Sequence, residues 1–301
     1  MHRRLPEGHP AGRHRPAEPR LPEGHRRREE AVTAAPRSRS RPEHRAGPFY
    51  CVRMNVTLLP YHQDERLPDA SFPLSGLDVV PVTPDLPDGD VWQRVAALFE
   101  PVVAEVARQI DGGSMPRVVS GDCLTAEAVL AGVQKAGVDA SVVWFDAHGD
   151  VHTVDSSTSG YLGGMPLRQI LGADTALLPD RLGLRTLPED RAVLVDARDL
   201  DPAEAEFLAS SQVRRCPVDD VVLPPGPLLL HIDVDVIDAG EMPGLKFPVG
   251  GGPSYDAVVA SVRRIMATGR VAALDVACPW HPPEGDDDAV RTRLLKDLLT
   301  A

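Results

Sequence analysis

No apolar run in this 301-residue chain approaches the roughly 20 residues that a membrane-crossing helix needs, so no membrane partner is expected. The N-terminus also lacks the apolar stretch of a secretory signal peptide. Four cysteines, Cys51, Cys123, Cys216 and Cys278, form neither a Cys-x-x-Cys pair nor a dense framework. A disulfide scaffold is thereby excluded, and a reducing cytoplasm is the expected compartment. Lysine is missing from residues 1–50, which carry 12 Arg against 6 Glu, a balance of +6. The whole chain has 32 Lys+Arg and 44 Asp+Glu, leaving 20 against 38, or −18, for positions 51–301. A body that acidic is a poor match for phosphate backbones, so no nucleic-acid partner is expected. It suits a cationic small molecule or divalent metal ions.

The first fifty residues are rich in Arg, Pro and His, and the pentad Leu5-Pro6-Glu7-Gly8-His9 recurs as Leu21-Pro22-Glu23-Gly24-His25. They show neither helical nor strand periodicity and bury too little apolar surface to order themselves. Positions 1–50 are therefore read as a disordered leader or as sequence ahead of the native start, with Met54 a natural first residue. Residues 51–301 are read as one catalytic domain, because 43% hydrophobic content supports a single sizeable core.

From position 55 the pattern alternates. Apolar strands are predicted at 55–59, 117–120, 141–146, 192–196, 228–233 and 271–277. Helices are predicted at 91–109, 125–136, 166–171, 201–210, 254–267 and 286–300. Buried strands alternating with helices imply an α/β fold, with a mostly parallel sheet covered on both faces. Ligands in such folds bind beyond the carboxyl ends of the strands. Acidic side chains gather at two of those ends, in Phe145-Asp146-Ala147-His148-Gly149-Asp150 and in His231-Ile232-Asp233-Val234-Asp235. Residues i and i+2 of an extended strand share a side, so Asp146 faces with His148, and Asp233 with Asp235. Four carboxylates and an imidazole would repel one another unless cations lay between them. Two ions bridged by shared carboxylates would use them all.

Gly121-Asp122-Cys123, then Asp146-Ala147-His148-Gly149-Asp150, then Asp233-Val234-Asp235-Val236-Ile237-Asp238 stand in that order at strand ends. This set resembles the ureohydrolases (arginase, agmatinase and relatives), whose signatures are Gly-Gly-Asp-His, Asp-Ala-His-x-Asp and Ser-x-Asp-x-Asp-x-x-Asp-Pro. The resemblance spans roughly 54–301 and implies the three-layer arginase-like fold with two Mn(II) per subunit. It implies one ion on Cys123, Asp146, Asp150 and Asp233. The other would sit on Asp146, His148, Asp233 and Asp235, with Asp150 and Asp235 counted as catalytic. Hard oxygen donors with one imidazole suit manganese, and such a pair turns water into hydroxide near neutral pH. On the substrate side the resemblance implies His152, Ser159, Asp201 and Glu204 around the amino-acid end of a guanidino compound. Asp201 and Glu204 also suit the first turn of a helix begun by Pro202, and the two roles are compatible.

Three departures bear on the substrate. Cys123 stands where the family has a metal-ligating His. Gly163 stands where arginases carry a proton-shuttling His, and Cys278 where they carry a guanidinium-binding Glu. A general acid commonly supplies about 10²–10⁴ in rate, so arginine itself is expected to be a poor substrate. An N-hydroxyguanidine is easier to hydrolyse. The departures resemble the branch of the family that converts Nω-hydroxy-L-arginine to hydroxyurea and L-ornithine in D-cycloserine antibiotic biosynthesis, and that reaction is the expectation. The alternatives are another ureohydrolase substrate (arginine, agmatine, guanidinobutyrate or formimidoylglutamate) or a non-catalytic metal-binding relative. His152 or His281 could take over proton transfer. The chain stops close to its last predicted helix, so a monomer is expected rather than the trimer common among arginases.

Overall fold

A computed structural model describes residues 55–285 and 287–301; what the sequence suggests for positions 1–50 lies outside them. The strands are β1 (Asn55–Leu59), β2 (Tyr61–His62), β3 (Glu65–Arg66), β4 (Asp78–Pro81), β5 (Arg117–Ser120), β6 (Ser141–Asp146), β7 (Ala192–Asp196), β8 (Arg214–Cys216), β9 (Leu228–Asp233) and β10 (Val271–Ala277). The helices are α1 (Val91–Asp111), α2 (Thr125–Lys135), α3 (Pro166–Ile170), α4 (Pro179–Leu182), α5 (Pro202–Ser210), α6 (Tyr255–Met266) and α7 (Asp287–Leu299). Eight strands form one sheet in the order β4-β1-β5-β10-β9-β6-β7-β8. Every pairing in it is parallel.

Strand alternation divides the core in two. Val118, Val142, Trp144 and Leu229 pack with α1 and α2 through Val95, Leu98, Val102 and Val129. Val119, Val143, Phe145, Leu230 and Ile232 pack with α6 and α7 through Val258, Val262, Leu294 and Leu298. The sheet is thus covered on both faces and the three-layer α/β expectation holds. α1 begins in a capping box, with Asp90 accepting from the Gln93 N–H at 2.9 Å and Gln93 accepting from the Asp90 N–H at 3.1 Å. No helix of the described residues is long and apolar enough to cross a membrane.

The six predicted strands form at their expected bounds. The two missed sheet strands, β4 and β8, are the edges of the sheet. They are short and largely exposed, Asp-Val-Val-Pro and Arg-Arg-Cys, so they lack the apolar run that marks a central strand.

Candidate metal centre and substrate pocket

Donors arrive from three strand ends on the sheet's carboxyl rim. β5 runs through Gly121-Asp122 into Cys123, just ahead of α2. β6 closes on Asp146, and β9 on Asp233. The chain does not stay extended past those aspartates as the i, i+2 argument requires. Asp146 Oδ1 accepts the His148 N–H at 2.7 Å, and Asp233 Oδ1 accepts the Asp235 N–H at 2.9 Å. Each carboxylate folds the following residues back on itself, an Asx turn, and Val234–Val236 form a 3₁₀ turn. Asp150 lies in the left-handed region at φ +52°, a conformation that aspartate tolerates better than most residues. The expected residues still meet, by turns rather than by pleat.

Cys123 Sγ lies 2.8 Å from Asp233 Oδ2 and 4.0 Å from Asp146 Oδ2. His148 Nδ1 lies 3.3 Å from Asp146 Oδ1 and 3.2 Å from Asp235 Oδ2. Outer contacts hold the carboxylates in place: Trp144 Nε1 donates to Asp146 Oδ2 at 3.2 Å, and the Ala147 N–H to Asp235 Oδ1 at 3.3 Å. One cavity of about 370 Å³ brings together Cys123, Asp146, His148, Asp150, Asp233 and Asp235 with His152, Ser159, Asp201 and Glu204. All ten sequence-derived site residues therefore line a single pocket. Cys278 does not; it is buried in the second core cluster, so no side chain enters from that position. His281 is exposed and also outside the lining.

The donor set fits cations. Asp146, Asp150, Asp233 and Asp235 are all at most 5% exposed, and Asp150 Oδ2 has no hydrogen-bond partner among the described residues. Burial, then the neighbouring carboxylates, push Asp150 and Asp233 well above the ordinary carboxylate range. Burial and Asp146 raise Asp235 to about 6. Burial and Asp233 likewise push the Cys123 thiol up. Burial alone would lower His148, but hydrogen bonds to Asp146 and Asp235 hold it up at about 12. Against its own burial, Asp146 is held at about 2 by His148. Around an ionised Asp146, the metal-free cluster thus favours the protonated forms of Cys123, His148, Asp150, Asp233 and Asp235, whose protons a divalent ion would displace.

A pH dependence follows from those directions. Groups raised in the folded state bind protons that the unfolded chain releases, so metal-free stability falls as pH climbs through their folded values. Asp146, depressed, stays ionised above about pH 4 and adds no slope there. Manganese should therefore raise the melting temperature more near about pH 8 than near about pH 5.5, and bind more tightly at the higher pH. Scanning calorimetry with and without chelator at both values tests this; equal gains would contradict it.

On the substrate side, His152 Nε2 lies 3.0 Å from Asp201 Oδ2, and its Nδ1 lies 3.0 Å from Ser156 Oγ. Glu204 is 4% exposed and accepts from the Val151 N–H at 3.2 Å and the Asp201 N–H at 3.0 Å. Its carboxylate thus ties the start of α5 to the backbone of the loop after β6, the structural half of its two compatible roles. Gly149 leaves room beside it: a Cβ there would fall 2.7 Å from Glu204 Oε1, so that carboxylate would have to shift.

The sequence reading did not single out Ser157, Asp199 or Phe247 of the lining, nor two further residues that bear on the chemistry. Tyr161 folds over Gly163, where an added Cβ would lie 2.5 Å from Cζ and 2.6 Å from Cε1 of the ring. Its hydroxyl donates to Asp122 Oδ2 at 3.3 Å, and its ring stacks on His62 at 5.7 Å. The phenol fills the space beside Gly163, and no local pattern announces that. His231 was detectable: it stands two residues before Asp233 on the same side of β9, in the Ser slot of Ser-x-Asp-x-Asp.

Comparison with known proteins agrees with this site. The sequence profile of the arginase family matches residues 31–295. Arginase of Bacillus subtilis (strain 168) is 29% identical over 225 residues, covering 68% of this chain and 76% of that protein. Arginase of Bacillus caldovelox is 33% identical over 180 residues, 54% of this chain and 60% of the relative. Its solved structure superposes with a TM-score of 0.68 at 22% identity, over 82% of this chain and 98% of the other. Trypanosoma cruzi formiminoglutamase with Mn2+ shares the fold at a TM-score of 0.63 and 16% identity, over 84% and 95%. With the profile spanning most of its length and the carboxylate signatures converging in one cavity, this chain belongs to the arginase family.

Proposed function

We propose that this chain is a dinuclear-manganese amidinohydrolase that splits Nω-hydroxy-L-arginine into hydroxyurea and L-ornithine. The observation that carries the reading is the Tyr161 ring standing over Gly163. Arginases have a proton-shuttling His at that position; here there is no side chain, and a phenol takes up the room. Burial, then Asp122, push that phenol well above its ordinary value, which makes it a far weaker proton donor than an imidazolium. The substrate must then be one whose cleavage depends less on an acid at that position. An N-hydroxyl withdraws electrons, lowers the guanidine's basicity and carries a transferable proton.

Cys123, Asp146, Asp150 and Asp233 would hold one ion, and Asp146, His148, Asp233 and Asp235 the other. When bound, the ions supply Lewis acidity and lower the pKa of water. Asp146 and Asp235 are oriented by Trp144 Nε1 and the Ala147 N–H, which preorganises the negative field facing a guanidinium carbon. Asp201, paired with His152, offers its carboxylate to the substrate's α-ammonium, with Ser159 at the mouth for the α-carboxylate. Water's oxygen adds to the guanidino carbon, the bond from that carbon to Nδ breaks, and a proton passes to the departing ornithine amine. The reading includes a cytoplasmic monomer acting on a small molecule. Its link to D-cycloserine biosynthesis rests on the resemblance of the departures alone.

The test is a substrate panel on manganese-loaded protein: hydroxyarginine, arginine, agmatine, guanidinobutyrate and formimidoylglutamate, with hydroxyurea, urea and formamide measured. Hydroxyarginine is expected to exceed arginine by at least about tenfold, a conservative share of what a general acid supplies. Equal rates would end the specificity claim, and faster turnover of another compound would reassign the substrate.

A further inference from the structure

We infer that His231 is itself a metal ligand, supplying from β9 the imidazole that position 123 lacks. The inference rests on the metal reading above and adds to it a donor absent from the family's signatures. Strand register sets the position. Asp275 on β10 and Trp144 on β6 both pair with His231, and two residues further on Ala277 pairs with Asp233. Side chains two apart on a strand share a face. His231 therefore lies one layer beneath Asp233, on the side where Asp146 and Cys123 converge.

The side chain is ready for that role. It is fully buried, and its Nδ1 lies 2.7 Å from Asp275 Oδ2, a carboxylate that is also fully buried. With the Nδ1 proton donated to Asp275, the lone pair resides on Nε2, which has no hydrogen-bond partner among the described residues. A carboxylate behind a ring nitrogen is the arrangement that fixes tautomer and orientation in metal-binding histidines. A buried polar atom without a partner calls for an occupant. Trp144, with its ring centroid 3.7 Å from that of His231, keeps the ring from turning away.

Distance agrees. A ring nitrogen of His231, Cys123 Sγ and an Asp146 oxygen all lie within 4.8 Å of one another. Two donors about 2.3 Å from one ion sit up to about 4.6 Å apart, so the cluster is close to that span and a small inward shift of these side chains would close it on an ion. A serine hydroxyl in this slot would be shorter than an imidazole and a weaker donor. Thiolate, imidazole and carboxylate together form a softer set than the carboxylates and His148 on the other side. This position should accept zinc or cobalt more readily than its neighbour does.

X-ray absorption on the manganese- or zinc-loaded wild-type chain counts imidazoles directly, and two per chain are expected, His148 and His231. His231→Ser should remove one imidazole and weaken one of the two ions at least about tenfold in a chelator competition, leaving the other in place. Asp275→Asn, which keeps the ring but loses its acceptor, should weaken the same ion to a lesser degree. Cobalt-loaded wild type should show a sulfur-to-metal charge-transfer band that Cys123→Ser abolishes and that His231→Ser shifts. Two ions with a single imidazole in the wild type would overturn this inference alone. Uptake of no ion at all would overturn the metal reading and this inference with it. Because the wild-type count needs no variant, a misfolded His231→Ser would not shelter the idea.

Discussion

Asp233→Asn should keep the fold, release both ions and cut hydroxyurea formation from hydroxyarginine at least about 10³-fold. Asp233 is the carboxylate that both ions would share with Asp146, and it is 4% exposed. Asparagine keeps the shape and one oxygen, which can still accept the Asp235 N–H now bonded at 2.9 Å. It removes the charge and turns an amide nitrogen toward the position that now accepts Cys123 Sγ at 2.8 Å. Polarisation by a metal is worth several kcal/mol, and about 1.4 kcal/mol is a factor of ten, so about three decades is the expected scale. Metal-free stability should move the other way. Burial, followed by Asp235 and Asp146, pushes the Asp233 carboxyl well above its ordinary value, so ionising it at neutral pH opposes folding. The neutral variant avoids that cost. Chelated Asp233→Asn should melt above chelated wild type near about pH 8, with the gap closing toward about pH 5. Retention of both ions by the variant, seen in elemental analysis, would remove Asp233 from the bridging role.

Restoring the arginase histidine should fail when done alone. Gly163→His puts a Cβ 2.5 Å from Tyr161 Cζ, so the phenol must leave Asp122 and its stack on His62. Overpacking of this kind commonly costs about 1–3 kcal/mol. The single variant is expected to melt lower and to gain no arginine hydrolysis. Gly163→His with Tyr161→Ala clears the space and should raise urea release from arginine by about 10²-fold, the lower end of general acid catalysis. The measurement is urea and hydroxyurea release by wild type, both single variants and the double variant. A gain in arginine turnover from Gly163→His alone, without loss of thermal stability, would show that the ring is not the obstacle.

The interior of the sheet was legible because each central strand is an apolar run, and β5, β6, β7 and β9 close on a polar residue. Hydrophobic burial on both faces leaves such a strand one plausible place. The edge strands β4 and β8 were not legible, since neighbours on one side leave half their residues free to be polar. At the site, residue type and order named ten of the sixteen lining residues, but the reason given for their convergence was wrong. Asp146 and Asp233 assemble it by capping their own downstream backbone, a short-range hydrogen-bond choice that an i, i+2 count overlooks. Tyr161 was invisible as a neighbour of Gly163, because a ring folding back over a glycine two residues on follows from sterics of the whole loop. His231 was visible in principle: alternation from Asp233 reaches it directly. It was passed over because it sits inside the strand rather than at the tip.

The strand order has a bearing on stability. Cys123 follows β5 and Asp146 ends β6, yet β10 and β9 lie between those strands, and β10 is the last strand of the chain. The sulfur and the Asp233 carboxylate it meets are 110 positions apart. A shell joining Cys123 to Asp233 therefore exists only where strands distant in the chain are already paired, so an ion held there would favour the assembled sheet over any form in which those strands have parted.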